Sequence, residues 1–294
     1  MLSALPAPLR ALIAATLMLL NILFWVPILL AFSLLKLLLP FKRVRLWIDP
    51  LLLRIAETWI AGNSGWMRLT QKLDWDVSGI ADVSPRQWYL VVCNHQSWVD
   101  ILVLQHVFNR RVPLLKFFLK KELIWVPIMG LAWWALEFPF MRRRSEAYLQ
   151  QHPEERGKDA ATTRAACEKY ALVPTSVMNF LEGTRFTPAK QQRQCSPYRH
   201  LLKPKAGGVT LALQAMGEKF GAVLDVTIVY PEGTPTFMHF LQGKVNRVLV
   251  RVRTLPVPQA SAQPEQALRE VCQQWVNQLW AEKDAFINTV TKVT

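Results

Sequence analysis

An almost unbroken apolar stretch, Ala11 to Leu39, constrains the fold of this chain more than any other part of the sequence. As one helix it would span roughly 43 Å, which exceeds the roughly 30 Å hydrocarbon core of a bilayer. Two arrangements accommodate this length: a tilted transmembrane helix kinked at Pro27, or two short helices that dip into one leaflet. The stretch is too long for a cleaved signal peptide and lacks a small-residue cleavage site.

Basic residues flank this stretch unevenly. Only Arg10 precedes it, whereas several follow near its C-terminal end: Lys36, Lys42, Arg43, Arg45 and Arg54. Basic residues concentrate on the cytoplasmic side of membrane segments. We therefore predict a membrane anchor over residues 1–44 and a domain over residues 45–294 on the cytoplasmic face of the cell inner membrane.

The roughly 250 residues after the anchor suffice for one globular domain or a tight pair. Apolar strands are predicted at Leu73 to Val77, Trp88 to Val92, Leu114 to Leu119, Thr175 to Leu181, Val223 to Tyr230 and Val245 to Arg253. Helices are predicted at Arg45 to Thr70, Val99 to Val107, His152 to Tyr170, Ala206 to Met216 and Pro264 to Ile287, with a polar loop at Pro188 to Tyr198. This alternation predicts an α/β fold with a mainly parallel central sheet flanked by helices.

A second strongly apolar segment, Ile124 to Phe140, is about 17 residues long, the lower limit for a membrane span. It is interrupted by Pro127, Gly130, Glu137 and Pro139. We interpret it as part of the domain that touches the membrane, with three tryptophans near the interface: Trp125, Trp133 and Trp134. A second span is the alternative.

The net charge of +14 favours an anionic partner, either nucleic acid, an acidic membrane surface or phosphorylated small molecules. The 12 Trp residues favour the last two, because Trp concentrates where apolar and wet surfaces meet. No module of interleaved basic and aromatic residues supports nucleic-acid binding, so no nucleic-acid partner is expected. The four cysteines lack metal-type spacing and are predicted to be reduced thiols: Cys93, Cys167, Cys195 and Cys272.

A histidine and an aspartate flank the predicted turn from the strand at Trp88 to the helix at Val99. His95 would lie just ahead of the helix and Asp100 in its first turn, so the two side chains can meet. Asp100 would then accept the Nδ1 proton of His95 and leave Nε2 free as a base. A core histidine bonded to a nearby carboxylate fits the same spacing.

Two other kinds of site could use residues of this stretch, a hydrolase and a metal site. Ser97 or Cys93 could act with His95 as the nucleophile of a hydrolase, but Ser97 is more simply the N-cap of the helix. His95 and Asp100 are too few for a metal site, and His106 and His200 have no matching context, so no metal is predicted.

Several short motifs, in this order and spacing, resemble the glycerolipid acyltransferase family of the 1-acylglycerol-3-phosphate acyltransferase type. They are Asn94-His95-x4-Asp100, Lys120-x-Glu122-Leu123-x3-Pro127-x2-Gly130, Phe140-x-Arg142-Arg143, Phe180-x-Glu182-Gly183-Thr184-Arg185 and, more loosely, Val226 to Tyr230. The resemblance covers the motif core at residues 88–230. Arg185 to Thr187 and Leu201 to Gly208 resemble the branch of enterobacterial probable acyltransferases and eukaryotic lysocardiolipin-type enzymes.

The resemblance implies transfer of an acyl group from a thioester to a hydroxyl of a lysophospholipid, with His95 as the base and no acyl group on the protein. Lysophosphatidic acid is the expected acceptor, at its sn-2 hydroxyl, and glycerol 3-phosphate, lysocardiolipin or another lysolipid is the alternative. No bound cofactor is expected. The co-substrate would be acyl-CoA or acyl-carrier protein, and the bilayer would supply the lipid.

The remaining motif residues are given roles by the same resemblance. Arg185 would bind the phosphate of the acceptor, followed by Lys120 and Arg143. For Arg142 and Arg144, a solvated basic face or a contact with anionic lipid explains the residue as well as phosphate binding does, and for Arg143 it explains the residue less well. Four residues are expected to position the site: Glu182 by holding Arg185 or its turn, Gly183 by allowing a close backbone approach, and Thr184 and Asn94.

Overall fold

A computed structural model describes residues 2–39, 41–142, 146–152, 158–258 and 265–292 of the chain. Two long helices open it, α1 at Ala7–Leu38 and α2 at Lys42–Thr70. The apolar stretch is one continuous helix through Pro27, so the alternative of two short helices is wrong. Among the residues that the structure describes, one helix, α1, is long and apolar enough to cross a membrane.

The two long helices pack antiparallel as a hairpin. The amide of Asn21 on α1 donates hydrogen bonds to the carbonyl of Trp59 and to Oδ1 of Asn63 on α2. Helix α2 is amphipathic, and its apolar face is buried through residues such as Ile48, Leu52 and Ile55. The hairpin is thus fixed to the rest of the molecule by burial of one side of α2.

The central sheet has six strands in the order β1-β8-β7-β2-β6-β3. They are β1 (Asp74–Ser78), β2 (Trp88–Cys93), β3 (Leu115–Phe117), β6 (Ser176–Phe180), β7 (Phe220–Val229) and β8 (Arg247–Leu255). Every neighbouring pair is parallel except β7 and β8. A separate parallel pair is formed by β4 (Leu119–Lys120) and β5 (Phe140–Met141). The prediction of an α/β fold with a mainly parallel sheet is confirmed.

Helices cover both faces of this sheet. They are α3 (Val99–Phe108), α4 (Met129–Ala135), α5 (Glu146–Gln151), α6 (Lys158–Tyr170), α7 (Pro188–Arg193), α8 (Gly207–Met216), α9 (Phe237–Leu241) and α10 (Glu265–Lys292). Alternate residues of β2 enter different cores. Tyr89 and Val91 pack on the side of α1 to α4, whereas Leu90 and Val92 pack on the side of α6, α8 and α10. Burial on both faces explains why β2 is apolar without interruption.

The structure corrects two predictions about local structure. The segment predicted as a polar loop at 188–198 begins with α7, because Thr187 accepts a hydrogen bond from the Lys190 N–H and Pro188 occupies the first turn. The segment at 124–140 is divided between a 3₁₀ turn at Lys121–Trp125, the seven residues of α4 and β5, so a second span is wrong. Pro264, predicted to begin the last helix, lies outside the described residues.

Candidate active site

The site is built where β2 and β6 end at the same edge of the sheet, which is where ligand sites of α/β sheets lie. Asn94, directly after β2, is fully buried. Its amide donates to the carbonyl of Ile228 and accepts from the Ile228 N–H, both at 2.9 Å. Asn94 therefore locks the end of β2 to β7 and fixes the start of the turn that carries His95.

The contact predicted between His95 and Asp100 is present. Nδ1 of His95 lies 2.9 Å from Oδ2 of Asp100, which stands in the first turn of α3 and is fully buried. The same oxygen accepts the backbone N–H groups of Gln96 at 2.6 Å and Ser97 at 2.9 Å. A carboxylate held by backbone donors keeps the Nδ1 proton on His95, so Nε2 is the nitrogen left to act as a base.

Tyr230 completes the support of Asp100, and sequence reasoning gave it no role. Its hydroxyl donates to Oδ1 of Asp100 at 2.7 Å. Burial and the neighbouring Asp100 charge raise the pKa of Tyr230 well above its usual value, so the phenol stays a donor. One signal was available in the sequence: Tyr230 directly follows a strand, as Asn94 does.

The hydrolase readings lack a nucleophile. The hydroxyl of Ser97 donates to the carbonyl of Pro235 at 2.6 Å and accepts the Val99 N–H at 3.2 Å, so its proton is not directed to His95. The backbone places the N-cap at Trp98, one residue later than predicted, although Ser97 still satisfies a first-turn amide. Burial raises the pKa of Cys93 well above its usual value, which keeps it a thiol.

Glu182, after β6, joins two turns of the site. One carboxylate oxygen accepts the His95 N–H at 2.9 Å, and the other accepts the Leu202 N–H at 3.0 Å. The carbonyl of His95 in turn accepts the Phe186 N–H at 2.7 Å. Of the two roles expected for Glu182, the contacts agree with holding the turn and not with holding Arg185, because both of its oxygens accept backbone N–H groups. Burial raises the pKa of Glu182 to about 8, against the opposing effect of those two hydrogen bonds.

Gly183 and Thr184 shape the turn that follows. Gly183 has φ +67°, and a Cβ at this position would lie 3.8 Å from Lys205, an ordinary contact. Glycine is therefore favoured by its left-handed conformation, and the close backbone approach expected at this position stays a prediction. The hydroxyl of Thr184 accepts a hydrogen bond from Nζ of Lys190 at 2.8 Å, which ties the turn to α7.

A cavity of about 350 Å³ opens beside this edge of the sheet and is named here the catalytic cavity. His95, Arg185 and Lys120 line it. Its remaining wall is mostly apolar and includes Trp59, Ile60, Ile101, Leu114, Phe117, Leu123, Trp133, Leu136, Phe138 and Met178. Arg143 and Arg144 lie outside the described residues, and Arg142 is exposed.

Aromatic rings restrain two of the polar groups that line the catalytic cavity, His95 and Arg185. The His95 ring stacks on Phe180 with 3.9 Å between ring centroids. The guanidinium carbon of Arg185 lies 4.6 Å from the ring centroid of Trp98. The cavity thus combines an oriented imidazole, a held cation and an apolar wall. Such a site suits removal of a proton from a hydroxyl next to an anionic group and an apolar chain.

The chain belongs to the Acyltransferase family, whose profile matches residues 74–231, more than half of the sequence. It is 30% identical over 208 residues to 1-acyl-sn-glycerol-3-phosphate acyltransferase delta of Mus musculus, covering 67% of this chain and 51% of that protein. It is 26% identical over 242 residues to the gamma protein of Mus musculus, covering 75% of this chain and 60% of that protein. The chain thus spans little more than half the length of these relatives.

A solved structure extends the likeness to the whole chain. The crystal structure of the 1-acyl-sn-glycerophosphate (LPA) acyltransferase, PlsC, from Thermotoga maritima matches with a TM-score of 0.56 at 20% identity. The match covers 94% of this chain and 96% of that one. At this identity the comparison establishes a shared fold.

Proposed function

We propose that this protein is a membrane-associated O-acyltransferase that moves an acyl chain from a thioester to the sn-2 hydroxyl of lysophosphatidic acid, giving phosphatidic acid. The observation that carries the proposal is the His95 imidazole, oriented by buried Asp100, in an apolar cavity that also holds Arg185. The names of the relatives support this acceptor.

The chemistry follows from the free nitrogen of His95. Nε2 takes the proton of the acceptor hydroxyl as its oxygen attacks the thioester carbon, and the tetrahedral adduct expels the thiolate. The proton held by His95 then passes to the leaving sulfur, which restores the neutral imidazole. Such general base catalysis contributes roughly 10²–10⁴-fold in rate. Asp100 stabilises the imidazolium formed on the way, and no acyl group is bound to the protein.

Recognition of the acceptor phosphate is assigned to the cations at the cavity. Arg185 is proposed as the principal group, because a guanidinium can form two parallel hydrogen bonds with phosphate oxygens and Trp98 restrains this one. Lys120 and Arg143 are proposed to assist. Glu182, Gly183, Thr184 and Asn94 act through the turns that they hold. The apolar wall of the catalytic cavity is proposed to take up the acyl chain.

Attachment to the membrane would bring the active site to the interface, where it can meet both the lipid acceptor and the water-soluble acyl donor. We propose that residues 1–44 anchor the chain in the cell inner membrane and that residues 45–294 form the catalytic domain on its cytoplasmic face. Trp125 and Trp134, 84% and 51% exposed, are suited to the interface. The proposed donor is acyl-CoA or acyl-carrier protein; both are anionic, so the net charge of +14 suits either of them. We also propose that the chain belongs to the branch of enterobacterial probable acyltransferases and lysocardiolipin-type enzymes, because its motifs resemble those of that branch.

The test is acyl transfer by the full-length protein in membranes, with labelled acyl-CoA and acyl-carrier protein as donors. The acceptors are lysophosphatidic acid, lysocardiolipin, glycerol 3-phosphate and a monoacylglycerol that lacks phosphate. We expect acylation of lysophosphatidic acid that is lost in His95→Ala. His239→Ala is the matched control, because His239 is exposed and does not line the catalytic cavity.

Other results would each contradict a different part of the proposal. Activity on another lysolipid alone would keep the mechanism and change the acceptor. Release of free fatty acid without transfer would favour a hydrolase. Transfer that survives in His95→Ala would contradict the assignment of the base.

A further inference from the structure

A second and larger cavity, of about 560 Å³, lies between α1, α2, α4, β5 and α6 and is named here the outer cavity. Cations from three different helices line it: Lys36 of α1, Arg45 of α2 and Lys169 of α6. Its apolar lining includes Leu37, Trp134, Phe138 and Phe140. Neither His95 nor Arg185 lines it, so the reaction described above gives it no role.

The charges of the outer cavity do not cancel. Among the described residues that line it, one is acidic: Glu137, which pairs with Lys36 at 3.2 Å and is also attracted by the charge of Lys169. Lys36 also pairs with Asp49 at 2.7 Å. Arg45 and Lys169 take part in no ion pair or side-chain hydrogen bond among the residues that the structure describes. With three cations against one carboxylate among its described lining residues, the outer cavity carries a net positive charge, which favours an anionic ligand with an apolar portion.

The place of the outer cavity limits what that ligand can be. Lys36 lies in the last turn of α1, where the apolar helix ends, and Arg45 lies near the start of α2. Half-exposed Trp134 lines the same opening. A basic and aromatic border at the end of a membrane helix lies at the depth of lipid headgroups.

The outer cavity is also separate from the catalytic cavity. The segment from Leu136 to Phe138 forms a wall between them: Leu136 lines the catalytic cavity, Glu137 lines the outer one, and Phe138 lines both. Two hydrogen bonds hold this wall in place. Nζ of Lys116 donates to the backbone carbonyl of Leu136, and the hydroxyl of Tyr170 donates to the backbone carbonyl of Glu137. A ligand in the outer cavity would therefore not occupy the position of the acceptor phosphate.

We propose that the outer cavity binds a phosphate-bearing ligand through Arg45 and Lys169, and that this ligand is the headgroup of an anionic glycerophospholipid. The choice of a lipid over a soluble phosphate rests on the membrane association included in the proposed function. The binding site itself does not depend on the acyl transfer reaction.

The test is equilibrium binding of radiolabelled phosphatidylglycerol to the purified full-length protein in nonionic detergent micelles. In the double variant Arg45→Gln/Lys169→Gln we expect binding to weaken about 5.5-fold per cation, or about thirtyfold in all. The matched control is Arg43→Gln/Arg164→Gln, which removes the same charge from the same two helices at exposed positions outside the lining. Thermal unfolding of each variant confirms that it is folded.

Competitors identify the ligand. Unlabelled phosphatidylglycerol should displace the label, whereas diacylglycerol, which lacks a phosphate, should not. Displacement by inorganic phosphate or coenzyme A that depends on Arg45 and Lys169 would keep the phosphate site and overturn the lipid assignment. Equal loss in the two double variants would show attraction by net charge alone and would overturn the site.

Two further variants separate this proposal from the proposed function. His95→Ala should bind phosphatidylglycerol as the wild type does, even though acyl transfer is lost. Arg185→Ala should do the same. If Arg185→Ala abolishes binding while Arg45→Gln/Lys169→Gln does not, the lipid occupies the catalytic cavity and the proposal fails. If no acyl transfer is found but binding depends on Arg45 and Lys169, the outer site stands alone.

Discussion

Replacement of Tyr230 by phenylalanine tests the support beneath the proposed base. The change removes one oxygen and keeps the ring, so packing in the buried site is unaltered. Oδ1 of Asp100 loses the hydroxyl that donates to it at 2.7 Å. A hydrogen bond to a charged group contributes about 1.5–3 kcal/mol, and Asp100 is fully buried. We expect Tyr230→Phe to lower the free energy of unfolding by that amount, or the Tm by about 3–12 °C.

The control is Tyr170→Phe, which removes a hydroxyl that donates to a neutral acceptor, the carbonyl of Glu137, at 2.6 Å. That loss should cost only about 0.5–1.5 kcal/mol. A double-mutant cycle with Asp100→Asn isolates the charge: in this background Tyr230→Phe should cost no more than the control.

Thermal unfolding in detergent micelles measures the stability of the three single variants and of the double variant Asp100→Asn/Tyr230→Phe. Acyl transfer is assayed on the same samples. The kcat of Tyr230→Phe should lie between those of the wild type and Asp100→Asn, because Asp100 keeps its three other donors. Equal costs of Tyr230→Phe in both backgrounds, or full stability of the single variant, would refute a supporting role for the phenol.

Four further predictions concern other residues. Asp100→Asn should lower kcat about 10²–10⁴-fold with the fold retained, measured in the same transfer assay, since the imidazolium of His95 loses its counter-charge. Arg185→Ala should lower kcat/KM for lysophosphatidic acid about 10–150-fold, the value of a charge-assisted hydrogen bond, and have little effect on monoacylglycerol; equal losses on both acceptors would remove Arg185 from the phosphate role. Gly183→Ala should destabilise the protein by about 1–2 kcal/mol because of its φ of +67°, and Gly183→Asn should cost less, whereas a clash would order them oppositely. Burial lowers the pKa of His106 from 6.5 to about 4, so stability should fall as the pH drops from about 6.5 to 4, where protonation favours the unfolded chain; His106→Gln should lessen this fall, as Tm values at pH 5 and 7.5 would show.

Local geometry explains what could be predicted from the sequence. His95 and Asp100 are five residues apart in the sequence, on the two sides of a strand-to-helix turn. Over so short a separation, helix geometry determines whether the two side chains can meet. The apolar strands and the helices between them likewise indicated a mainly parallel sheet, because parallel strands need long crossover connections. The main local error, at 188–198, came from overlooking Thr187 as an N-cap and Pro188 as a first-turn residue.

The sequence by itself determined the long apolar helix, the α/β fold and the pairing of His95 with Asp100. Only the tertiary structure decided that the hydroxyl of Tyr230 donates to Asp100, 130 residues away in the sequence, and that Glu182 joins His95 to Leu202. Those contacts exist because β2 lies between β6 and β7 in the sheet, so that the turns after all three strands meet at one edge. The order of strands depends on the packing of the whole chain, and the periodicity of a single strand carries no information about its neighbours.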